Sequence, residues 1–160
     1  MTVRHEFGID PADVTVREPL PEEAGRLAML FDAYRVFYER APDAHVAARF
    51  VERQLDKRVT RFFVACVGGD IVGFVHLLPT MDTLAMRPAW LLEDLYVDRD
   101  VRGRGIGSAL MRYAENFARE TGARRISLTT AHTNVVAQHL YESRGYGHDT
   151  TFRTYHRELE

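Results

Sequence analysis

Three glycines, Gly103, Gly105 and Gly107, alternate with Arg104 and Ile106 and are followed by Ser108, with Arg99 and Arg102 just upstream. A helix that starts on such a turn presents backbone N–H groups with no intrahelical acceptor, and its dipole adds partial positive charge there. That combination binds phosphate. Glycine suits the turn because a Cβ would hinder close approach of a ligand and because positive φ is open to it. The arginines add formal charge.

Two common phosphate loops do not match this spelling. A Walker-type loop needs Gly-Lys-Ser/Thr after its glycine-rich turn, and the single lysine, Lys57, lies far away in the chain. A dinucleotide fingerprint needs a third Gly or Ala, and the positions counted from Gly103 and Gly105 hold Ser108 and Leu110. The acidic residue expected about 20 positions on is also missing.

Around the loop, the elements that must position it are legible. Trp90 to Val97 is an apolar, β-favouring run broken only by Glu93 and Asp94, as in a strand buried on both faces. Ile106, Leu110, Ala114 and Phe117 recur at helical spacing after the loop. The unit is strand, glycine turn, helix. Upstream, Val14–Arg17 reads as a short strand, Pro19 and Pro21 open a helix carrying Leu27, Leu30, Phe31, Tyr34 and Tyr38, and a second helix begins near Asp43. Arg61–Val67 and Ile71–Leu78 form a hairpin over Gly68-Gly69, and the segment from Pro79 to Pro88 reads as irregular. Gly122 ends the loop helix, Arg125–Thr130 is a strand, Asn134 caps a further helix that Gly145 ends, and Thr150–Leu159 alternates as a last strand.

The spelling Arg102-Gly103-Arg104-Gly105-Ile106-Gly107 resembles the acyl-CoA loop, Arg/Gln-x-x-Gly-x-Gly/Ala, of the GNAT superfamily of N-acetyltransferases. Asn134, Ala137, Tyr141, Gly145 and Tyr146 are similar to the same superfamily's second signature. The segment Leu92–Val97 with Arg102–Ser108 is further similar to spermidine/spermine-type acetyltransferases and their bacterial relatives, where acidic residues line a polyamine site. The resemblance implies an α/β (α+β) GNAT fold, in the order β-α-α-β-β-β-α-β-α-β, with a mixed twisted sheet of six to seven strands and about four helices. It implies a single domain over 14–160 preceded by an arm, 1–13. It implies acetyl-CoA as co-substrate, held by the backbone of Leu95 and Val97, by the loop Arg102, Gly103, Arg104, Gly105, Ile106, Gly107 and Ser108, and by Asn134 and Arg144.

Acetylating an amine demands that the nitrogen first lose a proton, since a primary ammonium has a pKa of about 10.4. Glu93 is the first candidate base, directly or through a water, and Asp94 the second. On a regular strand the two point to opposite faces, so one faces the acceptor and the other is free to pair with an arginine. A proton donor near the sulfur eases departure of the thiolate, and Tyr141 is the family's candidate, although its spacing also fits a core aromatic. Asn134 caps its helix and, by the resemblance, can also reach the pantetheine. Arg144 reaches either a cofactor phosphate or the helix end.

Composition narrows the partners. The chain has 160 residues and a formal charge of -2, with no general attraction to nucleic acid or to a membrane surface, and no apolar run long enough to span a bilayer. One cysteine, Cys66, allows no disulfide framework, and His76, His132 and His139 show no metal-ligand spacing, so no metal is expected. The reading is therefore a cytoplasmic acyl-CoA-dependent N-acyltransferase acting on a small cationic amine, with a homodimer implied on family grounds. Protein lysine or N-terminal acetylation, and a non-catalytic acyl-CoA sensor, are the alternatives.

Overall fold

The structure is a computed structural model, and it describes Asp10 and residues 13–159. The arm expected over 1–13 lies outside the described residues apart from Asp10 and Asp13. The chain divides into two compact units between Thr129 and Thr130.

In the first unit, β1 (Val14–Arg17) leads through one 3-10 turn, Pro21–Glu23, into α1 (Ala24–Phe37), followed by α2 (Ala44–Lys57). The Glu23 carboxylate takes the Leu20 N–H at 2.7 Å and both arms of the Arg17 guanidinium at 2.7 and 2.6 Å. The guanidinium holds the Glu23 carboxyl well down, at about 2. Asp43 caps α2 through the Val46 N–H at 2.9 Å. Then come β2 (Arg61–Val67), β3 (Asp70–Asp82), β4 (Arg87–Val97), α3 (Ile106–Glu120) and β5 (Ile126–Leu128).

The five strands form one mixed sheet in the order β1-β2-β3-β4-β5, antiparallel except for the parallel β4–β5 pair. Alternation along β2 divides the core. Phe62, Val64 and Cys66 face a cluster with Leu27, Phe31, Ala47 and Val51 of α1 and α2. Phe63 faces α3, its ring 4.8 Å from Tyr113 and 4.9 Å from Phe117. The apolar stripe expected on α3 is in place, with Ile106, Leu110, Met111 and Ala114 buried.

Gly73, paired with Val97, lies where β3, β4 and Leu110 of α3 meet. A Cβ there would sit 2.8 Å from the Tyr96 carbonyl oxygen and 3.4 Å from Leu110 Cδ1. Backbone cannot yield as a side-chain tip does, so Gly73→Val is expected to cost about 2–3 kcal/mol by overpacking. A chemical-denaturation midpoint measured against wild type checks this.

The segment from Pro79 to Pro88, read from sequence as irregular, is instead the far end of a long hairpin. Pro79 pairs with Trp90 and Met81 with Pro88. The turn lies at Thr83–Met86, where Met86 takes φ 53°, and buried Asp82 accepts the Ala85 N–H at 3.1 Å and pairs with Arg124 and Arg125 at 3.4 and 3.3 Å. Both prolines suggest strand ends, but proline is tolerated where no ladder donor is required.

The second unit carries α4 (Val135–Ser143). Asn134 caps it, its side-chain oxygen accepting the Ala137 N–H at 3.3 Å. Gly145 ends it at φ 86°, with the Tyr146 N–H on the Tyr141 carbonyl at 3.1 Å. The expected last strand, Thr150–Leu159, does not form: the segment is irregular and exposed after an Asp149 side chain that takes the Thr151 and Phe152 N–H groups. Alternation supplies strand propensity, but a strand also needs a ladder partner. The sheet accordingly has five strands among the described residues rather than six to seven.

Candidate active site

The glycine turn takes the conformation its spelling requires. Gly103 and Gly105 have φ 75° and 77°, and Gly105 caps α3 with no side-chain oxygen over the first turn. The helix start, with Ile106 buried and Gly107 and Ser108 in its first turn, thus offers an anion its backbone donors. Arg104, half-buried, and exposed Arg99 lie on the same approach in sequence. Arg102 is held back on the protein: its Nε donates to the Val97 carbonyl at 2.9 Å, and its guanidinium carbon lies 5.2 and 5.5 Å from the ring centroids of Tyr96 and Phe37. It ties the loop to the end of β4 and to α1, and stacked guanidinium of this kind is worth about 0.5–1 kcal/mol or more.

Strand β4 supplies an open edge. It pairs with β5 only at Trp90, Leu91 and Leu92, whereas its pairing with β3 continues to Val97. From Glu93 to Val97 the edge away from β3 therefore has no recorded partner in β5, and this stretch runs straight toward the glycine turn. Leu95 and Val97, half-buried, lie on it. Backbone groups along such an edge can bind an extended ligand as a further strand would. Open edge and uncapped helix start together fit a ligand with a peptide-like arm and a phosphate end, and acetyl-CoA is one.

The two carboxylates are placed by an irregularity. Leu92 pairs with Leu77 and Asp94 with His76, so Glu93 is an extra residue, a β-bulge. The bulge resets the alternation. Trp90 packs on the α3 side, 5.1 Å from Phe117, while Tyr96, an even number of residues on, packs on the α1 side, 6.3 Å from Tyr34. Glu93 ends exposed and Asp94 buried, and the bulge replaces the plain alternation expected of the two.

Among the described residues no arginine pairs with Asp94. Its Oδ2 lies 2.8 Å from His76 Nδ1, and the Tyr34 hydroxyl of α1 is near enough to feel its charge. Burial pushes the Tyr34 hydroxyl well above the ordinary tyrosine range, and the Asp94 carboxylate adds to the shift. Tyr34 therefore stays protonated. His76 lies flat on Phe62, 3.9 Å between centroids and 2° between planes, with Phe50 at its edge. Sequence reading passed over His76, which has no metal-ligand spacing. The available signal was a pair of polar residues, His76 and Asp94, each inside an apolar strand run, since buried polar groups need partners.

Within the second unit, Tyr141 is buried with its ring 6.1 Å from Tyr146. Arg144 sits at the C-terminal end of α4. His132 is exposed, and its carbonyl accepts from Gln138 Nε2 at 3.0 Å. Buried Cys66 is a small core residue whose thiol is pushed up by burial, the opposite of an activated nucleophile.

The fold and loop define an acyl-CoA-dependent N-acetyltransferase. A family model described as Acetyltransferase (GNAT) family matches residues 27–146, and the chain belongs to that family. It is 34% identical over 142 residues to an uncharacterised N-acetyltransferase of Bacillus subtilis (strain 168), covering 89% of this chain and 95% of that protein. To streptothricin acetyltransferase of Streptomyces lavendulae it is 38% identical over 88 residues, 54% of this chain and 44% of that one. The crystal structure of a probable acetyltransferase superposes with a TM-score of 0.86 at 30% identity, over 91% of this chain and 98% of that chain. Among the described residues no helix is long and apolar enough to cross a membrane.

Proposed function

We propose that this enzyme transfers the acetyl group of acetyl-CoA to a small cationic primary amine, polyamines being the favoured class, by direct attack in a ternary complex. The observation that carries the reading is the end of β4–β5 pairing at Leu92, which leaves exposed Glu93 at the head of an open edge leading to the glycine turn. In this reading, Leu95 and Val97 hold the pantetheine arm and Gly103 to Ser108 the phosphates. Glu93 takes a proton from the bound ammonium, the freed nitrogen attacks the thioester carbonyl, and the C–S bond breaks as the sulfur takes a proton from Tyr141. The second nitrogen proton, lost on amide formation, makes good the one Tyr141 gave. Two carboxylates, Glu93 and Asp94, and the rings of Tyr34 and Tyr96 favour a positively charged acceptor.

Thiol release from acetyl-CoA against polyamines, monoamines and lysine peptides tests this, with calorimetric binding of CoA in parallel. Turnover on polyamines or other small cationic amines is the expected result. Turnover on lysine peptides alone would move the acceptor to proteins, and CoA binding with no turnover on any amine would make the protein a sensor.

Tyr141→Phe keeps the ring and removes the proton. It is expected to lower kcat about tenfold or more while leaving CoA affinity unchanged. Steady-state kinetics beside calorimetry read the two quantities separately, and an unaltered kcat removes Tyr141 from the acid role.

A further inference from the structure

We propose that His76 is a positioning residue of the transfer reaction: its bond to Asp94 clamps the β-bulge that presents Glu93. The inference rests on the reading of Glu93 as the base.

The clamp stands at the irregularity itself. His76 and Asp94 are the cross-strand pair on one side of the bulge, and Leu77 and Leu92 the pair on the other. Glu93 lies between them without a cross-strand partner, so ladder pairing does not fix its direction. A bulge of this kind can migrate or straighten by one residue, and either change sends the neighbouring side chains to other faces. The Nδ1 to Oδ2 contact of 2.8 Å forbids that slip, because it ties Asp94 to the β3 residue opposite it. The Phe62 stack fixes the imidazole plane.

A proton relay is the competing role for a buried Asp–His pair, and the burial argues against it. His76 is 2% exposed, and its Nε2 is buried with no hydrogen-bond partner among the described residues. A shuttle needs an exit for the proton, and this one ends in the core. What the arrangement does supply is a short buried hydrogen bond across two strands, which fixes their register at the bulge.

The two properties of His76, its stack and its donor, come apart in two substitutions. His76→Phe keeps a flat ring on Phe62 and loses the Nδ1 donor; His76→Asn keeps a donor near the Nδ1 position and loses the stack. The clamp predicts that H76F lowers kcat about tenfold, as misplacement of a reacting group does, with Kd for CoA unchanged. It predicts that H76N stays within about threefold of wild type. A purely structural histidine predicts the reverse order. If H76F is recovered unfolded, His76→Gln takes its place, because its longer side chain carries the amide toward the Nε2 position instead.

The same substitution in a Glu93→Gln background separates the clamp from the base. If His76 acts through Glu93, H76F adds less than about twofold to the loss already caused by E93Q. Equal losses from H76F in both backgrounds, or an H76F enzyme as fast as wild type, overturn the clamp while the base reading stands. Full activity of E93Q alone overturns the base reading, and the clamp with it.

Discussion

Glu93→Gln is expected to lower kcat about 100-fold or more, the usual contribution of a positioned base, while Kd for CoA stays within about twofold of wild type, a difference of roughly 0.4 kcal/mol. The side chain is exposed and has no cross-strand partner, so the change leaves the fold intact, and Gln preserves length and hydrogen-bonding reach while removing the basic oxygen. The effect is the same whether Glu93 meets the ammonium directly or through a water, because either route ends on that carboxylate. Steady-state rates on the best amine of the panel, with calorimetry on CoA, measure both quantities. A kcat within threefold of wild type would return the role to Asp94. Asp94, however, is buried and already bonded to His76, which leaves it less open to an acceptor than exposed Glu93.

Gly105→Val is expected to act on the other substrate. Gly105 has φ 77° at the start of α3, and a β-branched residue in that region is a genuine outlier. An added Cβ meets no protein atom within 4 Å, so the penalty is backbone strain of about 1–2 kcal/mol, not a clash. The turn relieves that strain by leaving the left-handed conformation, and the N–H groups at the helix start then lose their convergence. Acetyl-CoA binding is expected to weaken about tenfold or more, since 1.4 kcal/mol is one decade of affinity. Calorimetry with CoA reads this directly, and Gly105→Ala should lie between wild type and valine. Equal affinity in all three proteins would mean that the turn does not hold the phosphates.

How much of this was legible beforehand follows from whether each feature is local. Caps are local: Asp43, Asn134, Gly122 and Gly145 each mark a helix end through one or two residues, and each stands where the sequence placed it. The glycine turn is equally local, and its strand-turn-helix context reads from periodicity alone. The bulge at Glu93 is not local, because it exists only as a mismatch of count between β3 and β4. For the same reason the pairing of His76 with Asp94, 18 residues apart, left no motif. The hairpin turn at Thr83–Met86 escaped because its left-handed residue is Met86 rather than glycine, while two prolines inside the paired strands pointed to a break. Thr150–Leu159 erred in the other direction, as its alternation describes a strand that finds no ladder among the described residues. Arg102 reads as a phosphate ligand in the motif, yet its guanidinium lies against Tyr96 and Phe37, a contact between α1 and the loop that spacing does not reveal.

The central claim is that a bound small amine receives the acetyl group directly from acetyl-CoA. Incubation with acetyl-CoA labelled in the acetyl carbonyl, with and without a polyamine, tests it by showing where the label ends. The account predicts label on the amine nitrogen, none on the protein, and no label transfer without amine. Label on the protein before amine is added, or label retained on CoA with every amine offered, would contradict it.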